Sequence, residues 1–214
     1  METLEGTSLE ERDHYYANLL CKRSCSDKEA RELSRVRWLM EEAKKQRFTN
    51  FLDIACHDGF VTRWMVDEPE FEFLLGVDPC GDAIRNAMKS VLSRRNAHKA
   101  SYLCMPYQKL RKFCDHEVLF SGVSAFEFIE HLTVPEGEQL ITAMYLRLKL
   151  GGRGYICTPN KPGRWGDSNP DKHHITLYTK ESLEYSIDRV VRSPLNWFEH
   201  EPKCDHLMCS WTKT

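Results

Sequence analysis

Short apolar runs, separated by stretches of helical periodicity, constrain this chain more than any other feature. The runs are Phe51-Leu52-Asp53-Ile54-Ala55-Cys56 and residues 71–78, 100–105, 118–126 and 154–158. Several are bounded by Gly, Pro, Asn or Asp and are too short for an average helix, so they read as buried strands. Between them, residues 60–66 and 82–92 read as helices, the first stopped by Pro69. Thr133-Val134-Pro135-Glu136 is a capping signature that launches a helix to Leu150, closed by Gly151-Gly152. Residues 180–191 make a last helix, and 197–211 leave room for two more strands. Strands alternating with helices imply right-handed crossovers and a mostly parallel sheet covered on both faces, an α/β fold. Ligands of such sheets bind beyond the carboxyl ends of the strands, so the residues just after each strand matter most.

Two further capping boxes, Ser8-Leu9-Glu10-Glu11 and Ser26-Asp27-Lys28-Glu29, open the chain. After Ser26, Ala30, Leu33, Val36, Leu39, Met40 and Ala43 recur at helical spacing until Thr49-Asn50. This predicts N-terminal helices over 1–48 that cover the active site, and one compact domain over 49–214. Apolar residues make up 41%, with only eleven Gly and nine Pro in 214 residues, which excludes collagen-like and disordered classes. No run nears the ~20 apolar residues of a membrane helix. The opening METLEGTSLEERDHYY is acidic and polar, unlike a signal or transit peptide, so a cytoplasmic protein without membrane attachment is expected. The nine cysteines contain no Cys-x-x-Cys pair and read as reduced, buried thiols; a zinc site of Cys21, Cys25, Cys204 and Cys209 has the wrong spacing. A formal charge of −2 argues against nucleic acid as the default partner. Residues 85–112 carry eight Lys or Arg and no acid, a run that fits a solvated helix face or phosphate contacts. Monomer and dimer both remain open.

Asp53-Ile54-Ala55-Cys56-His57-Asp58-Gly59 follows the first strand, and Asp78 stands nineteen residues beyond Gly59 at the end of the second. A small-residue turn lets backbone amides approach a nucleotide-like ligand, and an acid at that distance can accept from ribose hydroxyls. The alternative is an ordinary strand-to-helix turn with Asp78 capping the next helix.

These segments, with Leu75-Gly76-Val77-Asp78, Phe126-Glu127-Phe128-Ile129-Glu130-His131-Leu132 and Leu148-Lys149-Leu150-Gly151-Gly152, resemble the successive motifs of class I S-adenosylmethionine-dependent methyltransferases over residues 50–185. The resemblance implies a Rossmann-like, seven-stranded sheet whose last strand runs antiparallel, with S-adenosyl-L-methionine as cofactor. It implies a cofactor site of Asp53, Ala55, His57, Gly59, Asp78, Met105 and Phe126. Asp53 would anchor the turn and the methionine ammonium, Asp78 the ribose, Met105 the adenine, and Phe126 and Glu127 the floor near the methyl. The family turn reads Asp-x-Gly-x-Gly-x-Gly, whereas Ala55 and His57 stand at its first two glycines. Only glycine reaches positive φ without cost, so the turn is either a tolerated variant or a weakened site.

Glu127, Glu130 and His131 fall at relative positions 0, 3 and 4, which share a face on a helical turn, and His173 and His174 follow the fifth strand. Two carboxylates and two imidazoles can hold Mg²⁺ or Mn²⁺ and acidify an acceptor hydroxyl. The pattern resembles the small-RNA 3′-end 2′-O-methyltransferases, which implies Glu127, Glu130, His131 and His174 as metal ligands. A similar Glu-His-Leu stretch with Thr158-Pro159-Asn160 and a later His occurs in metal-free methyltransferases of sugars and quinones, which implies His131 as base or hydrogen-bonder. A satisfied core His131, with Glu130 capping the next helix, is a third reading. The catalytic set expected is His131, His174 and Glu127. Trp165 and Arg164 in the loop 159–173 suit a sugar ring, a base or an anion, and Tyr15, Tyr16 and Trp38 cover the pocket or fill the core. The function expected is methyl transfer to a hydroxyl of a sugar, glycan or other small molecule. The alternatives are metal-dependent methylation of RNA ribose and a non-catalytic module. A nicotinamide oxidoreductase does not fit, because Gly-x-Gly-x-x-Gly is missing.

Overall fold

A computed structural model describes residues 26–110, 118–160, 173–198 and 206–214. The helix expected after Ser8, together with Tyr15, Tyr16, Cys21, Cys25, Cys114, Arg164, Trp165 and Cys204, lies outside the described residues. The described chain divides after Tyr107 into two compact units.

The first unit runs α1 (Ser26–Lys45), β1 (Asn50–Ile54), α2 (Phe60–Met65), β2 (Phe73–Asp78), α3 (Gly81–Val91) and β3 (Ala100–Cys104). β1 and β3 flank β2 in parallel, with Asp53 opposite Gly76 and Asp78 opposite Cys104. Leu39, Phe51, Leu52 and Leu74 are fully buried, and Phe51 meets Phe71 edge-on at 6.1 Å. α1 stops at Lys45, four residues before the expected end. Arg47 turns left-handed (φ 54°) and Phe48 N–H donates back to Ala43 O at 3.0 Å. This closes the helix as a glycine C-cap would, with arginine in glycine's place.

The second unit runs β4 (Phe120–Phe126), a 3₁₀ turn (Ile129–His131), α4 (Val134–Arg147), β5 (Leu148–Pro159), α5 (Lys180–Val191), β6 (Leu195–Trp197) and β7 (His206–Thr212). β4 and β5 are parallel, while β7 runs antiparallel to β5 and β6. The capping signature at Thr133 is realised: the Glu136 carboxylate accepts from Thr133 N–H and Oγ1, each at 2.8 Å. Gly151-Gly152, however, does not close α4. The helix ends at Arg147 and the pair lies inside β5, where Gly151 is left-handed (φ 75°) and the register with β4 shifts between Phe120 and Gly122. A bulge needs the same glycine freedom that a helix end does, so the sequence signal serves either feature.

The seven strands form one sheet in the order β3-β2-β1-β4-β5-β7-β6. This is the expected mostly parallel arrangement, with β7 antiparallel to its neighbours. Among the described residues no helix is long and apolar enough to cross a membrane. The five described cysteines are thiols outside any disulfide; Cys56, Cys80, Cys157 and Cys209 are buried and Cys104 is exposed.

Gly154 pairs with Trp211 across β5 and β7, and a methyl group added to Gly154 would enter the fully buried indole. Gly154→Ala is expected to destabilise the fold by about 1–3 kcal/mol, since overpacked cores cannot relax freely. A denaturant titration checks this; an unchanged midpoint would show that the indole has room to shift.

Candidate active site

One candidate site, within the first unit, grows from the turn between β1 and α2. Ala55, His57 and Gly59 all have positive φ, at 57°, 48° and 75°. The backbone therefore makes the glycine-type turn with only one glycine in it. A left-handed non-glycine residue costs roughly 1–2 kcal/mol. The conformation is held by Cys56 N–H donating to Val77 O at 3.1 Å, Gly59 N–H to Cys56 O at 2.8 Å, and His57 N–H to Asp78 Oδ2 at 3.0 Å. Thr62 Oγ1 donates to Gly59 O at 3.1 Å and meets the Tyr102 hydroxyl at 2.6 Å.

Asp78, at the end of β2, accepts from two backbone amides, the second being Cys80 N–H on Oδ1 at 2.9 Å. Each carboxylate oxygen has two lone pairs, so one per oxygen is left after these bonds. Burial raises the Asp78 carboxyl above its ordinary value, against those two amide bonds. Asp53 is buried at the same strand ends. Burial first, and then the charges of Asp53, Asp78 and Asp58, push the Cys56 thiol well up, so it stays protonated. Three carboxylates converging on one turn favour a cationic ligand. Met105, buried just past β3, donates its N–H to Asp78 O at 3.0 Å. Asp53, Ala55, His57, Gly59, Asp78 and Met105 all lie at or just beyond the carboxyl ends of β1, β2 and β3. Removing the strain at His57 is expected to stabilise the ligand-free protein: His57→Gly should raise the melting temperature by about 2–4 °C per kcal/mol relieved. A lower melting temperature would mean that the imidazole contributes more than its backbone costs.

A second cluster, within the second unit, grows from the segment after β4, where Phe126 ends the strand half-buried. Glu130 is 1% exposed. Thr158 Oγ1 donates to its Oε2 at 2.9 Å, and its carbonyl accepts from Ile175 and Thr176 N–H at 2.8 and 3.0 Å. His131 Nδ1 lies 3.1 Å from His173 O. A carbonyl only accepts, so Nδ1 carries a hydrogen, and in the neutral ring the lone pair is on Nε2. Nε2 is 3.9 Å from Glu130 Oε1, and the His131 and His174 rings are 5.0 Å apart. One ligand atom each from Glu130, His131 and His174 can lie within 4.8 Å of the others. Burial first, then the charges of Glu130 and Glu138, pushes the Tyr178 phenol up to about 12, so it stays neutral beside them.

Glu127 is the exception to the expected cluster. The 3₁₀ turn begins only at Ile129, and Glu127 is left-handed (φ 52°). It takes His206 Nε2 on Oε2 at 3.1 Å and the Cys157 thiol on Oε1 at 3.4 Å, while its N–H donates to Cys157 O at 2.9 Å. His206 and Cys157 carried no sequence signal as partners of Glu127. The antiparallel register that sets His206 opposite Pro159 brings them there.

A family model described as a methyltransferase domain matches residues 21–187. Among solved structures, the N-methyltransferase NodS from Bradyrhizobium japonicum, in complex with S-adenosyl-L-homocysteine, is similar at 16% identity and a TM-score of 0.69, over 94% of this chain and 98% of that one. The methyltransferase domain of the bacterial CtHen1 is similar at 15% identity and a TM-score of 0.69, over 85% of this chain and 99% of that one. An S-adenosylmethionine-dependent methyltransferase from Clostridium acetobutylicum is similar at 13% identity and a TM-score of 0.65, over 83% and 89%. No protein of curated function matches by sequence.

Proposed function

Because this chain belongs to the class I S-adenosylmethionine-dependent methyltransferases, we propose that it methylates a hydroxyl of a sugar, glycan or other small molecule, with His131 as the base. The cofactor supplies a methyl already activated by its sulfonium charge, so the protein must align the acceptor and remove one proton. The observation that carries this reading is the His131 Nδ1 to His173 O contact at 3.1 Å, which in the neutral ring puts the lone pair on Nε2. Nε2 takes the hydroxyl proton, and the Glu130 carboxylate at 3.9 Å stabilises the imidazolium that results. Thr158 and the amides of Ile175 and Thr176 hold Glu130 in place for that task. On the cofactor side, Asp78 offers its remaining lone pairs to the ribose, and the acids around Cys56 favour the ammonium and sulfonium charges. The basic run contributes less free charge than its composition suggests, since Arg85 pairs with Asp82 and Arg94 with Asp67. This supports a small acceptor over a polyanion. Methyl transfer to a panel of hydroxyl acceptors that persists in EDTA tests the reading; loss of all activity on chelation would overturn it.

A second reading rests on the close approach of Glu130, His131 and His174. One carboxylate and two imidazole ligand atoms within 4.8 Å fit a divalent ion such as Mn²⁺. Bound there, such an ion would supply Lewis acidity to an acceptor hydroxyl of RNA ribose. Glu127, the fourth ligand that the resemblance implies, contacts His206 and Cys157 in this structure.

A further inference from the structure

We propose that Tyr102 is a positioning residue for the cofactor, bracing the glycine-poor turn through a two-bond relay that ends on Gly59. This rests on the reading that the 55–59 turn binds the cofactor. Thr62 Oγ1 spends its only hydrogen on Gly59 O at 3.1 Å, because a carbonyl cannot donate. The 2.6 Å contact between Thr62 Oγ1 and the Tyr102 hydroxyl therefore runs from tyrosine to threonine. The relay is Tyr102 O–H to Thr62 Oγ1–H to Gly59 O, and Thr62 is 1% exposed.

Two glycines make room for the ring that starts it. A Cβ at Gly59 would come within 2.8 Å of the Tyr102 hydroxyl, and one at Gly76 within 2.7 Å of Tyr102 Cδ1. Gly76 lies opposite Tyr102 in the β2–β3 register. The Gly76 site would also meet Cys56 Sγ at 2.8 Å, so the ring, the thiol of the turn and bare strand β2 are fitted to one another. A turn with three glycines needs no such brace. This one holds Ala55 and His57 at φ 57° and 48°, and the strain must be offset by contacts from outside the turn.

The test uses the full chain with Tyr102→Phe, which keeps the ring and removes the donor. Native-state amide exchange is expected to quicken about fivefold or more at Cys56, His57 and Gly59, and affinity for S-adenosylhomocysteine in calorimetry to fall by a similar factor, as loss of one buried hydrogen bond implies. Thr62→Val should produce the same loss, and the double variant no more than either alone. His57→Gly, which removes the strain at one of the two non-glycine positions, should shrink the Tyr102→Phe effect, whereas a general loss of packing would act equally in both backgrounds. Unchanged exchange at the turn in Tyr102→Phe, or losses that simply add, overturns the brace. If the unmodified protein fails to bind S-adenosylhomocysteine, the cofactor reading falls, while the exchange measurement still decides the brace.

Discussion

Asp78→Ala is expected to lose at least about a hundredfold in affinity for S-adenosylmethionine. Hydrogen bonds to a charged group contribute about 1.5–3 kcal/mol each, and a carboxylate that holds both ribose hydroxyls makes two. The same substitution removes the acceptor of His57 N–H and Cys80 N–H, so the turn loses one tie and the start of α3 another as the ribose loses its anchor. Calorimetry with S-adenosylhomocysteine, on material shown to be folded by its melting transition, measures the loss. Near-native affinity in a folded variant would remove Asp78 from the pocket. The pH dependence follows from burial, which raises this carboxyl above the 3.8 usual for the group. Between 3.8 and the raised value, the folded chain holds a proton that the unfolded chain has released. Through that window this group makes the ligand-free protein less stable as pH rises, and above it the cost of the buried charge is complete. Cofactor binding runs the other way: the ribose needs the ionised form, so affinity falls as pH falls through the raised value. Melting curves with and without S-adenosylhomocysteine across mildly acidic pH would reveal the two opposing slopes.

The second large effect belongs to His131. His131→Asn keeps a donor for His173 O but has no second nitrogen at the position of Nε2. Turnover is expected to fall by about 10²–10⁴, the usual contribution of a positioned base, with cofactor affinity within a few-fold of the parent. The separation matters because His131 lies in the second compact unit and the cofactor turn in the first. A variant that keeps full turnover on a hydroxyl acceptor would reduce His131 to a structural hydrogen-bonder. One that regains activity only with added Mn²⁺ would favour the metal reading.

Most of the strand and helix order was legible because each element carries a local signal. The β1 run, the capping pair Thr133–Glu136 and the acid closing β2 all act within a few residues of themselves. Asp53 and Asp78 could be placed at strand ends for the same reason. Local signals were ambiguous where two structures need the same residue. Gly151-Gly152 suits a helix end and a bulge equally, and only pairing with β4 selects the bulge. Arg47 carries no glycine-like signal, yet it closes α1 in a left-handed conformation.

The sequence by itself determined that this chain alternates strand and helix and sets an acid near the carboxyl end of each of its first two strands. Those features follow from apolar periodicity, turn residues and caps, which are short-range. Tertiary structure decided the rest. The fate of the Glu127 carboxylate depends on the register of β7 against β5, which delivers His206 from 79 residues away. The left-handed turn at Ala55 and His57 exists because amide bonds to Asp78 and Val77, and the Tyr102–Thr62 contact, hold a backbone that neither side chain favours. Contacts between residues so far apart leave no periodic trace in the sequence, and the sheet has to form before they exist.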